Sequence, residues 1–376
     1  MLPEALKGWE SYREWLEADP EFRGRIVFAR TLPQRPPRSV PYDGTFAGVL
    51  QALGLTPFAH QREALLQVEA GKNVVMAYST AAGKSLVFQV PVLQAAMEGE
   101  TSLLLFPTKA LAHDQLRRLK AMAEALGVKG VYPYDGDTGS HLRRKAREEG
   151  LVLLSNPDML HYGLLPRHGA WASFLSRLRY LVLDEVHAYR GVFGTHVALV
   201  LFRLLRLARH YGASPQVIAA SATIGNAKEH AENLTGLPFV ALQEEVARSE
   251  RELLVLLPKP LDRKGERRRS PLLEAAYLAR SLAEGGLRAI VFAGARRSAE
   301  LIARYAAHPG VRPYRAGYTA KERRRLEEAL KRGEVRVLVS TSALELGVDI
   351  GELDAVVLVG YPGSVSAFWQ LSLIHI

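Results

Sequence analysis

The chain has 376 residues, no cysteine and a formal net charge of +10 at pH 7. Its hydrophobic content of 48% and charged content of 23% are those of a globular protein with room for two domains. The missing cysteines exclude disulfides and thiolate metal sites from these residues. The positive charge favours a polyanionic partner, above all nucleic acid, and the alternative is a generally basic proteome.

The first 57 residues are predicted to be an N-terminal extension. Residues 1–19 mix charged and aromatic side chains without the apolar core of a signal peptide, and no apolar run is expected to reach membrane-spanning length. We therefore expect a cytoplasmic protein without a membrane partner. Residues 31–41 carry four prolines and predict an extended linker. Large hydrophobic side chains recur at helical spacing and predict one helix face packed on a core: Leu6, Trp9, Tyr12, Trp15 and Leu16.

A strand, a small-residue loop and a helix follow one another between residues 73 and 90. The loop Tyr78–Ser85 ends in Gly-Lys-Ser, the pattern of a phosphate-binding P-loop, in which backbone N–H groups and a helix N-terminus hold anionic oxygens. Lys84 is predicted to reach the β- and γ-phosphates and Ser85 to bind Mg²⁺. Tyr78 stands where the usual pattern has its first glycine. Upstream of the loop, the Gln61 amide can both donate and accept, so it is predicted to bind an adenine edge; the alternative is a surface glutamine.

From Asn73 to about Leu242, short apolar runs alternate with helical patterns. This alternation predicts an α/β fold, a parallel sheet with helices on both faces. The predicted strands are Val74–Tyr78, Ser102–Phe106, Leu151–Leu154, Tyr180–Leu183 and Gln216–Ala220. In such sheets ligands gather at the carboxyl ends of the strands. Each of the remaining polar motifs follows a predicted strand: Pro107–Ala112, Ser155–Asp158, Asp184–His187 and Ser221–Thr223.

Asp184 and Glu185 are the natural partners of the P-loop. An acidic residue at a strand end can hold Mg²⁺ opposite Ser85, and Glu185 can orient and deprotonate the water that attacks the γ-phosphate. His187 is predicted to link the phosphate state to motion elsewhere, and the alternative is a packing histidine.

Residues 246–270 are rich in charge and proline and predict a solvated linker; a specific phosphate contact by its arginines is the alternative. Alternation then resumes over residues 271–370 and predicts a second sheet domain. Its predicted helices are Leu272–Ala283, Arg296–Ala306 and Thr319–Lys331, and its predicted strands are Arg288–Ala293, Val335–Ser340 and Ala355–Gly360.

As an ordered set, the motifs resemble those of superfamily 2 helicases of the DExH-box type. The set is Gln61, Ser79–Ser85, Pro107–Ala112, Asp184–His187, Ser221–Thr223 and Thr341–Ile350. Four segments are similar in sequence to those of YprA/MrfA-type DNA helicases, relatives of RecQ: Ser79–Ser85, Asp184–Gly194, Tyr314–Tyr318 and Ser342–Ile350. The resemblance implies two RecA-like domains, residues 58–245 and an incomplete 271–370, that close on ATP and Mg²⁺. It also implies a single strand of nucleic acid bound across both domains, 3′→5′ unwinding of DNA at duplex junctions and a role in DNA repair.

The resemblance also implies roles for individual residues. The residues implied to bind the nucleotide are Gln61, Ser79, Thr80, Ala81, Ala82, Gly83, Lys84 and Ser85, with Gly347 and Asp349 from the second domain. Hydrolysis falls to Asp184 and Glu185 with Lys84, and its coupling to domain movement to His187, Ser221 and Thr223. Nucleic-acid contacts fall to Thr108, Lys109, Asn156, Arg296, Gly317 and Thr341. For Arg296 and Thr341 the alternative is ordinary polarity at a helix start and a strand end.

The sequence departs from the family at its last motif. A Gln-x-x-Gly-Arg-x-Gly-Arg string is expected just after Trp369 and is absent. Arginines that stabilise charge on the transferring phosphoryl group are worth about 10³–10⁵ in rate. We therefore expect the chain to bind ATP but to hydrolyse it poorly. Residues 371–376 are interpreted as a non-native tail on a truncated helicase, and the alternative is a genuine C-terminal strand or a naturally short protein.

Two other functions stay open. The motor motifs do not distinguish a DNA helicase from an RNA helicase, so an RNA helicase of the same superfamily is one alternative. The other is a nucleic-acid-binding module with an inactive ATP site, supported by Tyr78 in place of glycine and opposed by Glu185, since a module that only binds has little use for a poised water.

Overall fold

The computed structural model describes residues 12–78, 82–221, 225–243, 250–315, 317–341, 353–363, 367–368 and 371. The strands are β1 (Ile26–Leu32), β2 (Val74–Ala77), β3 (Thr101–Leu105), β4 (Val131–Pro133), β5 (Val152–Ser155), β6 (Leu178–Leu183), β7 (Gln216–Ser221), β8 (Val240–Leu242), β9 (Arg251–Leu256), β10 (Ala289–Phe292), β11 (Val311–Tyr314), β12 (Val337–Ser340) and β13 (Ala355–Leu358). The α-helices are α1 (Tyr12–Ala18), α2 (Ala47–Ala52), α3 (Ala59–Glu69), α4 (Lys84–Met97), α5 (Lys109–Ala125), α6 (Ser140–Glu149), α7 (Pro157–Met159), α8 (Ala172–Leu175), α9 (Gly191–His210), α10 (Ala227–Thr235), α11 (Pro271–Glu284), α12 (Arg296–Ala306) and α13 (Ala320–Lys331).

The chain divides into two compact units. One is Pro37–Val246, and the other joins Met1–Pro36 to Ala247–Ile376. The predicted first domain, residues 58–245, ends within one residue of this unit but starts later in the chain. Helix α2 precedes residue 58, yet it buries Val49 and Leu50 and packs against α4, so the first unit begins earlier than predicted.

The first unit contains a parallel sheet. Among the described residues its strand order is β4-β5-β3-β6-β7-β2-β8. The five predicted strands are all present, and this confirms the α/β fold. Strands β4 and β8 were not predicted. Each has three residues and lies at an edge of the sheet, and β4 ends in Pro133, a residue that is confined to edges because it cannot donate to a ladder.

Helix α9 corrects one expectation. It is 20 residues long with a mean hydropathy of 1.5 over its most apolar stretch, so by length and composition one helix among the described residues could span a membrane. The prediction that no apolar run reaches that length is therefore wrong. Val197, Leu201, Leu204 and Ala208 of α9 are buried in the core of the first unit, whereas the apolar Val192, Leu199 and Phe202 of the same helix are exposed.

The second unit contains another parallel sheet. Its described strands run β11-β12-β10-β13, and α11 and α12 pack on it around a core of alanine, valine, leucine and isoleucine side chains. The predicted helices and strands of this region are confirmed to within a few residues. Edge strand β11 was not predicted, and it carries Pro313 in its interior.

The predicted N-terminal extension and the predicted linker pair with each other. Strand β1 lies antiparallel to β9, with Thr31 opposite Glu252. Arg25 donates to Glu274 of α11 at 2.7 Å, and both side chains are largely buried. Leu16 of α1 is buried, as the helical spacing predicts, whereas Leu6 and Trp9 lie outside the described residues. Residues 251–256 are therefore strand β9 of the second unit, while most of residues 257–270, the charged stretch, are exposed.

Candidate active site

The polar motifs of the first unit meet at one edge of its sheet. Leu105 pairs with Leu183 and Leu183 with Ala219, so β3 and β6 end together, and the neighbouring β7 and β2, in which Ser221 pairs with Ala77, end two residues further along. The N–H of Asp184 continues this ladder by donating to the carbonyl of Leu105 at 3.0 Å. The prediction that the polar residues lie together at the strand ends is confirmed for the described ones.

The P-loop enters helix α4 through Gly83. This residue has φ of +72° and ψ of 26°, the left-handed conformation, and a Cβ atom there would collide with the Gln61 amide nitrogen. Lys84 follows as the first residue of α4, and its Nζ donates to the carbonyl of Tyr78 at 3.0 Å. Ser79, Thr80 and Ala81 lie outside the described residues. The two described ends of the loop are thus joined by the side chain predicted to bind phosphate.

Helix α3 holds the P-loop through two adjacent side chains. Gln61 Nε2 donates to the carbonyl of Gly83 at 2.9 Å, and its Oε1 accepts the N–H of Phe58 at 2.8 Å. His60 Nε2 donates to the carbonyl of Ala82 at 2.7 Å. The structure thus places the Gln61 side chain against the backbone of the loop. The second N–H of its amide can still donate to adenine, and that contact remains a prediction. The role of His60 was not predicted, although its position beside Gln61 could have suggested it.

Tyr78 packs into the unit and does not fill the phosphate loop with its side chain. It is 2% exposed, its ring lies edge-on to that of His60 at 5.0 Å, and its hydroxyl donates to the His60 carbonyl at 3.3 Å. The aromatic residue at the usual glycine position therefore fixes α3 against the end of β2.

The acidic pair is held in an unusual backbone conformation. Glu185 has φ of +50°, which is rare for a residue with a side chain and costs on the order of 1–3 kcal/mol. Asp184 Oδ1 accepts the N–H of Glu185 at 2.9 Å, and His187 Nδ1 lies 3.2 Å from Glu185 Oε2. Strain of this kind concentrates at functional sites, and here it turns the Glu185 side chain toward His187.

Burial dominates the electrostatics of this turn. Burial and the charge of Glu185 raise the pKa of Asp184 to about 7, and the Lys84 ammonium opposes that rise. Burial also lowers the pKa of His187, which favours the neutral imidazole near pH 7. The effect of the Lys84 ammonium on the Asp184 pKa indicates that the P-loop cation lies near the acidic pair.

The residues present fit a magnesium ion. The Glu185 charge disfavours ionisation of the buried Asp184, and a cation beside Asp184 would favour it; Mg²⁺ prefers carboxylate and hydroxyl oxygens. No cluster of three or more metal-ligating side chains occurs in the described part of the chain. Asp184 and Ser85 would therefore hold the ion together with water and phosphate oxygens, as is usual for Mg²⁺.

Helix α10 also supports the acidic turn. Its residue His230 donates from Nε2 to the carbonyl of Val186 at 2.8 Å. This helix follows Ser221–Thr223, whose Thr223 lies outside the described residues, while Ser221 Oγ is buried without a hydrogen-bond partner in the described ranges. His230 was not predicted, because no local pattern distinguishes it from a surface histidine.

The residues of the first unit that were predicted to touch nucleic acid lie at helix starts. Thr108 Oγ1 accepts the N–H of Leu111 at 3.4 Å and caps α5, and Asn156 Oδ1 accepts the N–H of Met159 at 2.8 Å and caps α7. The exposed Lys109 pairs with Asp137 at 2.8 Å. In the second unit, Arg296 begins α12 and is exposed, Gly317 is exposed and Thr341 directly follows β12. Their nucleic-acid contacts remain predictions, and Gly347 and Asp349 lie outside the described residues.

A turn next to Lys109 is organised by one buried carboxylate. Asp135 Oδ1 accepts from Thr138 Oγ1 and from the N–H groups of Thr138 and Asp137, each at 2.9 Å. Its Oδ2 accepts from His113 Nε2 of α5 at 2.7 Å. Burial alone would raise the pKa of Asp135, but these hydrogen bonds outweigh it and hold the pKa below its usual value. The turn fixes the position of Asp137 and so of Lys109.

Known proteins match both units. Residues 58–230 match the DEAD/DEAH box helicase family, and residues 272–372 match the helicase conserved C-terminal domain. The chain is 41% identical to the ATP-dependent helicase YprA of Bacillus subtilis, over 97% of this chain and 49% of that protein. It is 36% identical to the ATP-dependent helicase HRQ1 of Saccharomyces cerevisiae, over 84% of this chain and 31% of that protein.

Solved structures agree with these matches. The DUF1998 helicase MrfA bound to DNA superposes with a TM-score of 0.86 and 38% identity, over 97% of this chain and 51% of that one. A MrfA structure with DNA and AMPPNP bound matches equally well, with a TM-score of 0.86 over 96% of this chain and 52% of that one. The DEAD-box helicase Mss116, at 15% identity and a TM-score of 0.66, covers 90% of this chain and 73% of its own and shares the fold. The chain thus spans about half the length of YprA and MrfA.

Proposed function

Because the chain belongs to the superfamily 2 helicases of the YprA/MrfA type, we propose that it is the motor part of an ATP-dependent DNA helicase. Its two RecA-like units carry the nucleotide-binding and helicase C-terminal domains of that family. DNA is proposed as the partner on two grounds: the net charge of +10, and the solved MrfA structures with DNA bound. Translocation in the 3′→5′ direction, a role in DNA repair and a cytoplasmic location complete the proposal.

One observation carries the proposal: the P-loop that ends in Lys84 and the acidic pair Asp184–Glu185 follow strands at the same edge of one sheet, and His187 Nδ1 lies 3.2 Å from Glu185 Oε2. Lys84 would exchange the Tyr78 carbonyl for phosphate oxygens, which hold a cation far better than a neutral carbonyl does. Glu185 would take the proton of the attacking water, and His187 would keep its carboxylate in place. Mg²⁺, when bound by Ser85 and Asp184, supplies positive charge to the phosphate oxygens.

The absence of the arginine string after Trp369 is part of the proposal. Turnover by these 376 residues is expected to be slow, while binding of ATP is expected to be intact. The burial of Tyr78 against His60 supports a functional P-loop over an inactive one.

The experiment that tests the proposal is binding of a fluorescent ATP analogue to the 376-residue chain in Mg²⁺. Lys84→Ala should weaken binding at least about a hundredfold, since a charge-assisted contact to phosphate is lost. Unchanged affinity in this variant would remove the P-loop assignment. Titration with matched single-stranded DNA and RNA then separates a DNA motor from an RNA motor.

A further inference from the structure

Two buried glutamines lie beside the predicted metal-binding hydroxyl. Gln115 of α5 donates from Nε2 to Ser85 Oγ at 3.1 Å. Gln89 of α4 donates from Nε2 to Gln115 Oε1 at 3.0 Å. Both glutamines are buried and Ser85 is partly buried, so the chain of hydrogen bonds runs from the interior of the first unit to its partly exposed P-loop.

The geometry fixes the direction of the Gln115 amide. Ser85 and Gln89 stand four residues apart on α4 and so share one face of that helix. The side-chain oxygen of Gln115 accepts from Gln89, and the side-chain NH₂ group of Gln115 therefore faces Ser85. A hydroxyl oxygen has two lone pairs, so Ser85 can accept from Gln115 with one and bind a cation with the other.

The far side of this contact is helix α5. That helix begins at Lys109 behind its cap Thr108, the residues predicted to contact the nucleic-acid backbone. Gln115 lies six residues beyond Lys109, about 9 Å along the axis at 1.5 Å per residue. A movement of the start of α5 would therefore reach Ser85 through fewer than two helical turns and a single hydrogen bond.

We propose that Gln115 is a positioning residue that holds Ser85 for Mg²⁺ and joins the metal site to the nucleic-acid end of α5. The inference rests on the proposed function, because it needs Ser85 to bind Mg²⁺ and α5 to bind nucleic acid. Gln89 supports Gln115 by fixing its amide. Residues that orient metal ligands from behind typically change metal affinity by about 10–100-fold when they are replaced.

The test is equilibrium binding of a fluorescent ATP analogue to the 376-residue chain. Each variant is measured in Mg²⁺ and in EDTA, with and without a single-stranded thymidine oligonucleotide. Gln115→Met keeps the length of the side chain and removes its hydrogen bonds. We expect it to lose about tenfold in the affinity gained from Mg²⁺, to keep its affinity in EDTA, and to lose most of the oligonucleotide effect on Mg²⁺-nucleotide binding.

Two further variants make the result specific. Gln89→Met should lower the affinity gained from Mg²⁺ and the oligonucleotide effect, by a smaller factor than Gln115→Met does. Because it keeps Gln115, it also serves as the test variant if Gln115→Met fails to fold. Gln94→Met is the matched control, since Gln94 lies on the same helix but donates to the exposed Glu98. It should leave all affinities unchanged.

The outcomes separate the two proposals. A Gln115→Met variant that keeps its full response to Mg²⁺ overturns the inference alone. Equal weakening in Mg²⁺ and in EDTA also overturns it, because that result indicates a merely structural role. An unmodified chain that binds no nucleotide in Mg²⁺ overturns the proposed function and the inference with it.

Discussion

His187 Nδ1 lies 3.2 Å from Glu185 Oε2, and both residues belong to one strained turn at the end of β6. Since a carboxylate can only accept, the imidazole presents a proton on Nδ1 to Glu185. The histidine that follows the acidic pair therefore orients the proposed general base.

Replacing His187 by alanine should slow hydrolysis more than it weakens binding. The Glu185 carboxylate loses its orienting partner, and a general base contributes about 10²–10⁴ to a rate, so misplacing it should cost about tenfold. Single-turnover hydrolysis of ATP and binding of a fluorescent analogue measure the two effects. His196→Ala, on the exposed side of α9, is the control. A tenfold loss of affinity at unchanged single-turnover rate would contradict the assignment.

His230→Phe should also slow hydrolysis, through the backbone of the same turn. An aromatic ring of somewhat larger size is kept while the hydrogen bond to the Val186 carbonyl is lost, and a neutral hydrogen bond is worth about 0.5–1.5 kcal/mol. The single-turnover rate should fall a few-fold. His230→Gln can restore a donor and should recover part of the rate. Equal rates for the Phe variant and the unmodified chain would show that α10 does not support the turn.

Gly83→Ala should impair the P-loop specifically. A side chain in the left-handed conformation costs about 1–2 kcal/mol, and the new Cβ would also displace Gln61 from the loop. Nucleotide affinity should fall well beyond the loss of stability, as followed by thermal unfolding and analogue binding. Gly99→Ala is the matched control, because Gly99 has a φ of +78° with nothing within 4 Å of the new atom. If both variants lose the same affinity, backbone strain alone explains the effect.

Asp135→Asn should destabilise the first unit in a pH-dependent way. The pKa of Asp135 lies below its ordinary value, so the unfolded chain binds more protons in acid. The stability contributed by the carboxylate is therefore present above about pH 4 and is lost as the pH falls through the native pKa. Denaturant unfolding at pH 7 should show a loss of about 1–3 kcal/mol, and the difference should shrink at pH 3.

Asp137→Asn is the control for that measurement. Its carboxylate pairs with Lys109 at an exposed position, where an ion pair is worth about 0–1 kcal/mol. A difference for Asp135→Asn that stays constant down to pH 3 would show that its hydrogen bonds do not depend on the charge.

Local patterns were sufficient for the sheet and for the residues at its strand ends. Val74–Ala77 and Tyr180–Leu183 are continuous apolar runs because both faces of a parallel sheet are buried, and the motif residues follow them directly. Residues that act through tertiary contacts carried no such signal. His60, His230 and Gln115 reach the site from helices whose placement depends on distant parts of the chain.

The pairing of β1 with β9 escaped prediction for a related reason. Side chains of both strands are only partly buried, so neither shows the alternation that marks a strand, and the four prolines after β1 dominate the local pattern. The partner strand lies more than two hundred residues away, with Thr31 opposite Glu252. Register over such a separation is not encoded in either segment alone.

That same pairing sets an order of events during synthesis. Because β1 is made first and β9 only after the whole of residues 37–246, the segment Met1–Pro36 has to wait on the ribosome while the intervening unit is completed. A shortened chain that starts at residue 58 would never supply β1, and β9 would then present an unpaired edge to other molecules. A chain made to contain only the second unit should therefore keep the residues before Pro37.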